Sequence, residues 1–230
     1  MRYLFVVFFL IGCSENNNSY FPLAKKKYWS YKIEIKPEID QKTVYKKVNL
    51  SLGEKKLQIN GEKEKSIYPL LREDGSIYFY SFNKDGIYRK GSSFLKDKNI
   101  NKQKSERIVL PKPEKIGRKW ATESKTFLIL KRYPYYDYRA TTNFQIEYEI
   151  ISKNQTVITP AGKFKNCLFV RGTGKTKFIG DSEIGTIEIN ISSEEWYAKG
   201  IGLIKSLRIE KTDSDLFGTT EMLQVLEDYK

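Results

Sequence analysis

The stretch WSYKIEIKP alternates Trp29, Tyr31, Ile33 and Ile35 with Ser30, Lys32, Glu34 and Lys36. A period of two sends the apolar set to one face and the polar set to the other, the pattern of a half-buried strand. The same habit recurs along the chain. Asn60-Gly61, Asp74-Gly75 and Asp85-Gly86 are tight-turn dipeptides between such runs, and SIYFYSF and GIYRKG follow two of them. Further strand candidates are SKTFLILKR, TNFQIEYEII, QTVIT, KFKNCLFVRGTG, IGTIEINIS, EWYA, IGLIKSLRIEK and TTEMLQVLEDY. No stretch keeps a helical period over several turns. EMLQVLEDY comes nearest and reads as a strand or a terminal helical turn. Many short strands with frequent turns predict an all-β fold, a curved antiparallel sheet (half-barrel or sandwich) with little helix. TPAGKF (159–164) reads as a hairpin connection, and the lysine-rich 95–106 as a long loop.

The first residues follow a different rule. Arg2 precedes a short apolar run that stops at Gly12-Cys13 and gives way to SENNNS. A charge, an apolar core and a small residue at the break match a secretory signal peptide. The run is far shorter than the roughly 20 apolar residues a membrane-spanning helix needs. Leu10-Ile11-Gly12-Cys13 resembles a bacterial lipobox, in which the peptidase cuts before the cysteine and acyl chains are attached to it. An ordinary signal with an incidental cysteine is the alternative; residue type, spacing and distance from the start favour lipidation of Cys13. Two or three acyl chains anchor firmly where one does so only marginally. Ser14 after the cysteine, by resemblance to enteric lipoproteins, points to the outer membrane, with the domain facing the periplasm. The expected organisation is a signal peptide over 1–12, a lipidated cysteine and flexible tether over 13–24, and a single β-rich domain over 25–230.

Hydrophobic content of 40% with 14% aromatic residues is enough to build a core and argues against disorder. Lipidation would consume one of the two cysteines. Cys167 is then alone, without an intrachain disulfide partner, in an apolar run that reads as buried strand. Histidine is absent, which removes the commonest general base and metal ligand, together with serine–histidine and cysteine–histidine catalysis. No metal, no cofactor and no enzymatic activity are expected. The net charge of +13 suits an anionic partner such as lipid, lipopolysaccharide or peptidoglycan, but the lysines are interspersed with acids along the chain. The export signal argues against nucleic acid.

RYPYYDYR (132–139) is the least ordinary stretch. Arg132, Tyr133, Tyr135, Tyr136, Tyr138 and Arg139 form a possible binding surface for a sugar or a protein, or else cap one end of the sheet. Gly174-Lys175-Thr176 imitates the end of a phosphate-binding loop, but Phe169 stands where that motif needs glycine and a strand stands where it needs a helix. Glu194 and Glu195 are adjacent on a strand and so point to opposite faces, which disqualifies them as a glycosidase pair.

At KIGRKW, VITPAGKFKNCLFVRGTG and EEWYAKGIGLIKS the chain resembles uncharacterised bacterial lipoproteins with a β-rich domain related to the domain of unknown function 3108, the TapB-like group. Gly117 and Trp120, then Thr159 to Gly162, Phe164 and Cys167, then Trp196, Tyr197, Gly200, Gly202 and Lys205 carry that resemblance, over roughly residues 107–209. It implies a β-rich envelope lipoprotein and transfers no catalytic residue. The expected function is binding or scaffolding of an apolar or anionic envelope molecule, or of a protein partner. The alternative is a carboxylate-dependent cell-wall or glycan hydrolase with a tyrosine-rich surface.

Overall fold

Period-two alternation becomes strand throughout the domain. The computed structural model describes residues 19–57, 65–96, 101–132, 136–182 and 185–230, with the backbone path alone for 101–105, 129–132 and 136–140. In chain order the strands are β1 (Tyr28–Pro37), β2 (Thr43–Ser51), β3 (Lys55–Leu57), β4 (Lys65–Arg72), β5 (Ser76–Asn83), β6 (Gly86–Phe94) and β7 (Asn101–Pro111). They continue as β8 (Lys119–Lys125), β9 (Leu128–Arg132), β10 (Tyr136–Ala140), β11 (Asn143–Thr159), β12 (Gly162–Ile179), β13 (Thr186–Ala198), β14 (Gly202–Thr212) and β15 (Thr219–Tyr229). The chain is all-β, and no helix occurs among the described residues.

One antiparallel sheet runs in the order β7-β6-β5-β4-β2-β1-β15-β14-β13-β12-β11-β8, with β3 attached to β4. Strand β15 therefore stands at the middle, joining a run built from the first half of the chain to one built from the second. The two edge strands, β7 and β8, come into contact, so the sheet is nearly closed into a barrel. Curvature also brings non-neighbours together across the interior. Arg208 of β14 donates to Ser124 Oγ at 3.2 Å and to the Lys125 carbonyl at 2.8 Å on β8, four strands away in the order.

The inner face carries a continuous core that includes Ile146, Ile150, Leu168, Val170, Ile187, Ile189, Ile204 and Leu226. Strand β8 alternates exposed and buried residues along its whole length, and β11 does so from Asn143 to Tyr148. Two glycines of β12 make room for aromatic rings on that face. A Cβ on Gly172 would lie 2.6 Å from the Tyr148 ring, and one on Gly174 would lie 2.5 Å from the Phe144 ring. The Gly174-Lys175-Thr176 sequence is thus strand, with its glycine used for packing. Cys167 is fully buried, and burial pushes its thiol pKa up.

Several sequence boundaries differ from expectation for identifiable reasons. SKTFLILKR is not one strand: β8 ends at Lys125, Thr126 and Thr142 hydrogen-bond to each other, and β9 pairs with β10 as a separate hairpin. TNFQIEYEII and QTVIT form a single β11, because register shifts between Ile150 and Val157 absorb the polar interruption. TIEINIS (186–192) and EWYA likewise lie within β13. Residues 101–106, expected as loop, belong to β7, an edge strand paired on one side only, where lysines are well tolerated. EMLQVLEDY is strand, since β15 is paired on both flanks. The Asn60-Gly61 turn lies outside the described residues; the other two turn dipeptides connect β4 to β5 and β5 to β6 as expected.

Of the stretch expected as anchor and tether, residues 19–24 lie against the domain. Tyr20 and Leu23 are buried. The Ser19 carbonyl accepts from the Gly200 N–H at 2.8 Å, and the Leu23 carbonyl accepts from Ser51 Oγ at 2.7 Å. Phe21 packs its ring 5.0 Å from that of Tyr80 inside the half-barrel. Cys13 lies outside the described residues.

Candidate functional site

Two adjoining cavities open within the curved sheet, sharing Phe21, Lys47, Tyr80 and Leu203 as common wall. The first, of about 150 Å³, is framed by Phe21, Pro22, Leu23, Trp29, Tyr31, Leu70 and Leu203, with Asn49 and Arg72 at its polar side. The second, of about 230 Å³, is bounded by Arg89 and Arg107 on one side and by Tyr148, Glu195 and Tyr197 on the other. Strands far apart in the sheet order supply these walls, so the site exists only because the sheet curls.

Each polar group reaches the interior by strand periodicity. On β13 the series Ile187, Ile189, Ile191 and Ser193 is buried, and Glu195 and Tyr197 continue it inward. Glu194, one residue out of phase, instead meets Arg171 at 3.3 Å. The two adjacent glutamates therefore serve opposite faces. On β6, Arg89 follows the fully buried Ile87 by two residues. It stands directly opposite Arg107 of β7 in the register.

The electrostatics of the site are dominated by cations. Burial pulls the Arg89 pKa below its ordinary value, and the neighbouring Arg107 charge adds to that effect. The Arg89 guanidinium lies 4.6 Å from the centre of the Tyr78 ring, and that of Arg72 lies 5.1 Å from it. Arg72 is ion-paired with Asp74 at 3.3 Å and donates to Tyr78 OH at 3.0 Å. Lys47 donates to Gln224 Oε1 at 3.2 Å, and its pKa is lowered to about 8, chiefly by burial and next by the Arg72 charge. Glu195 accepts hydrogen bonds from Tyr148 at 3.2 Å and from Tyr197. Burial, followed by the Glu195 charge, raises the pKa of both tyrosines. Among the described residues, Arg72 Nε and Asn49 Oδ1 are buried and find no hydrogen-bond partner, leaving a donor and an acceptor at the smaller cavity.

This arrangement is suited to holding an anion. Cations from β2, β6 and β7 line the walls, aromatic rings exclude water, and the tyrosines are held neutral. No group of three or more His, Cys, Asp or Glu side chains placed to hold a metal ion occurs among the described residues. Among the described residues that line these two cavities, Glu195 is the carboxylate.

The expected tyrosine–arginine surface is only partly visible. Arg132 ends β9 and stands opposite Tyr136, while Tyr138 and Arg139 of β10 stand opposite Leu130 and Ile129. Tyr133 and Tyr135 lie outside the described residues. From sequence, Glu195 is reached only as half of a disqualified pair and Lys47, Arg89 and Arg107 are not reached, although two signals point inward: Glu195 in phase with an apolar series, and Arg89 in phase with Ile87.

No protein-family model matches the chain, and no curated protein does. Two solved structures resemble it. One is a protein from Parabacteroides distasonis ATCC 8503 taken to be a lipoprotein. It is 14% identical, the match covers 94% of this chain and 100% of that one, and the TM-score is 0.44. The other is a protein from Bacteroides fragilis NCTC 9343 taken to be exported, with a YmcC-like fold. It is 13% identical, with 93% and 99% covered and a TM-score of 0.42.

Proposed function

We propose that the chain is an envelope lipoprotein, held to the outer membrane through Cys13, whose half-barrel binds a small anionic amphiphile without transforming it. The observation that carries this reading is the convergence of Lys47, Arg89 and Arg107 on an interior otherwise walled by aromatic and aliphatic side chains. Cations placed this way cost desolvation, and the folded chain recovers that cost when an anion occupies the space between them. The aromatic wall gives the same ligand an apolar partner. Interior tyrosines with raised pKa values are poor acids and bases near neutrality, which favours retention over catalysis.

The test is to purify the acyl-free protein under native conditions and identify what accompanies it by mass spectrometry. A stoichiometric anionic amphiphile, displaced by salt more readily from a Lys47→Gln variant, is the expected result. Co-purification of a neutral glycan, turned over on incubation, would overturn the reading in favour of a hydrolase.

A further inference from the structure

Trp29 of β1, Asn49 of β2 and Arg72 of β4 stand in one row of the sheet, Asn49 directly opposite each of the other two. All three border the smaller cavity. Several polar groups along its wall are already engaged. Trp29 Nε1 donates to the Ile201 carbonyl at 2.6 Å, Tyr31 OH to the Leu203 carbonyl at 2.9 Å, and Lys47 to Gln224 Oε1 at 3.2 Å. Arg72 reaches Ser76, Asp74 and Tyr78 through Nη1. Its Nε and Asn49 Oδ1 remain, a buried donor and a buried acceptor that find no partner among the described residues. Opposed residues on one face hold their Cβ atoms about 5 Å apart, so one small group can meet both.

We propose that the smaller cavity is a subsite for a carboxamide carried on a compact apolar group. The amide carbonyl accepts from Arg72 Nε, the amide N–H donates to Asn49 Oδ1, and the apolar group lies against Phe21, Leu23, Trp29 and Leu70. An amide sets an acceptor and a donor side by side, the complement of the unmet pair. A ketone would leave Asn49 Oδ1 buried and unmet, and a carboxylate would set a second acceptor against it. A water bridging the pair would gain two hydrogen bonds, where buried waters make about three. The cavity, about 150 Å³, limits the apolar group. An apolar cavity of about that size takes up benzene, so the group has about six carbons or fewer. This subsite goes beyond the anion-binding reading, because it stands on hydrogen bonding and not on charge.

NMR titration of the full acyl-free protein with four probes of one shape tests the assignment: 3-methylbutanamide, 4-methylpentan-2-one, 3-methylbutan-1-ol and 3-methylbutanoate. The amide should bind saturably and at least roughly tenfold more tightly than each of the others. Equal affinity for the ketone overturns the subsite, since the donor to Asn49 would then contribute nothing. Equal affinity for the alcohol assigns a single bridging atom and overturns the carboxamide. Equal or tighter binding of the carboxylate means that Asn49 presents its NH₂ group, and likewise overturns it. Absence of amide binding removes the subsite and leaves the anion-binding reading standing, since that reading predicts nothing for neutral probes. Asn49→Leu should shrink the amide's advantage over the ketone to about twofold or less. This ratio is insensitive to a general loosening of the variant, and its retention at the wild-type value overturns the role of Asn49.

Discussion

A half-buried lysine and two glycines show how single residues set the terms of this interior. Lys47 has a folded pKa of about 8, against an ordinary value of 10.5. Between those values the unfolded chain binds a proton that the folded chain has released, so stability rises with pH across that window. Below it, the full penalty of burying the charge remains. Urea unfolding of ligand-free protein at about pH 8 and about pH 9.5 should show this rise, and Lys47→Met should flatten it. An unchanged slope in the variant would mean that Lys47 is hydrated in the folded state. Gly172 and Gly174 act by volume alone. Alanine at either position drives a methyl into an aromatic ring that is itself packed in the core. Each substitution should cost about 1–3 kcal/mol in chemical denaturation, and full stability would show that the Tyr148 or Phe144 ring can swing away.

Between strands, the strongest lever is the ion pair of Arg208 and Glu210 on β14. Glu210 is fully buried; it accepts from Arg208 Nε at 2.8 Å and from the Phe127 N–H at 3.0 Å. Through Ser124 and Lys125, Arg208 then ties β14 to β8 across the interior. Removing one partner leaves a buried charge, so Glu210→Ala should cost about 3–5 kcal/mol, whereas the double change Arg208→Met with Glu210→Leu should cost much less. Thermal or urea midpoints of the three proteins decide the matter, and equal losses in single and double variants would argue against a charge-based staple.

The same scale explains what was legible in the sequence. Trp29, Tyr31 and Ile33 announce β1 because they form the core face of that strand, while Lys32, Glu34 and Lys36 on the other face keep contact with solvent. The turn residues at Asp74-Gly75 and Asp85-Gly86 act locally and so can be read locally. What could not be read was pairing between distant strands. The inward direction of Arg89 follows from periodicity, but its position opposite Arg107 depends on register between β6 and β7, with shifts on either side of the pair. The meeting of Tyr148 with Glu195 depends on curvature that no single strand encodes. The tyrosines of 132–139 drew notice through composition, whereas the cavity groups are ordinary residues made unusual by where the sheet takes them.

For the molecule as a whole, the packing of residues 19–24 against the barrel brings the proposed anchor close to the proposed site. Five residues separate Cys13 from Ser19, and a fully extended link of those six steps spans about 20 Å. Phe21, just beyond it, is part of the cavity wall. Cys13→Ser should therefore move the protein from the detergent phase to the aqueous phase and abolish labelling by radioactive palmitate, while leaving the circular dichroism of the domain unchanged. Detergent partitioning by the serine variant would mean that something other than acylation holds the protein to the membrane.

The place of β15 bears on timing. It pairs with β1 on one flank and β14 on the other, yet it leaves the ribosome after every other strand of the sheet. Until it arrives, the two runs of strands it joins each present an open flank with no partner. A polypeptide being threaded through an export channel is in the same position, since the part already across still lacks its middle. On the proposed export route this late closure suits unfolded passage, and a chain terminated before β15 would leave β1 and β14 each with an unsealed flank.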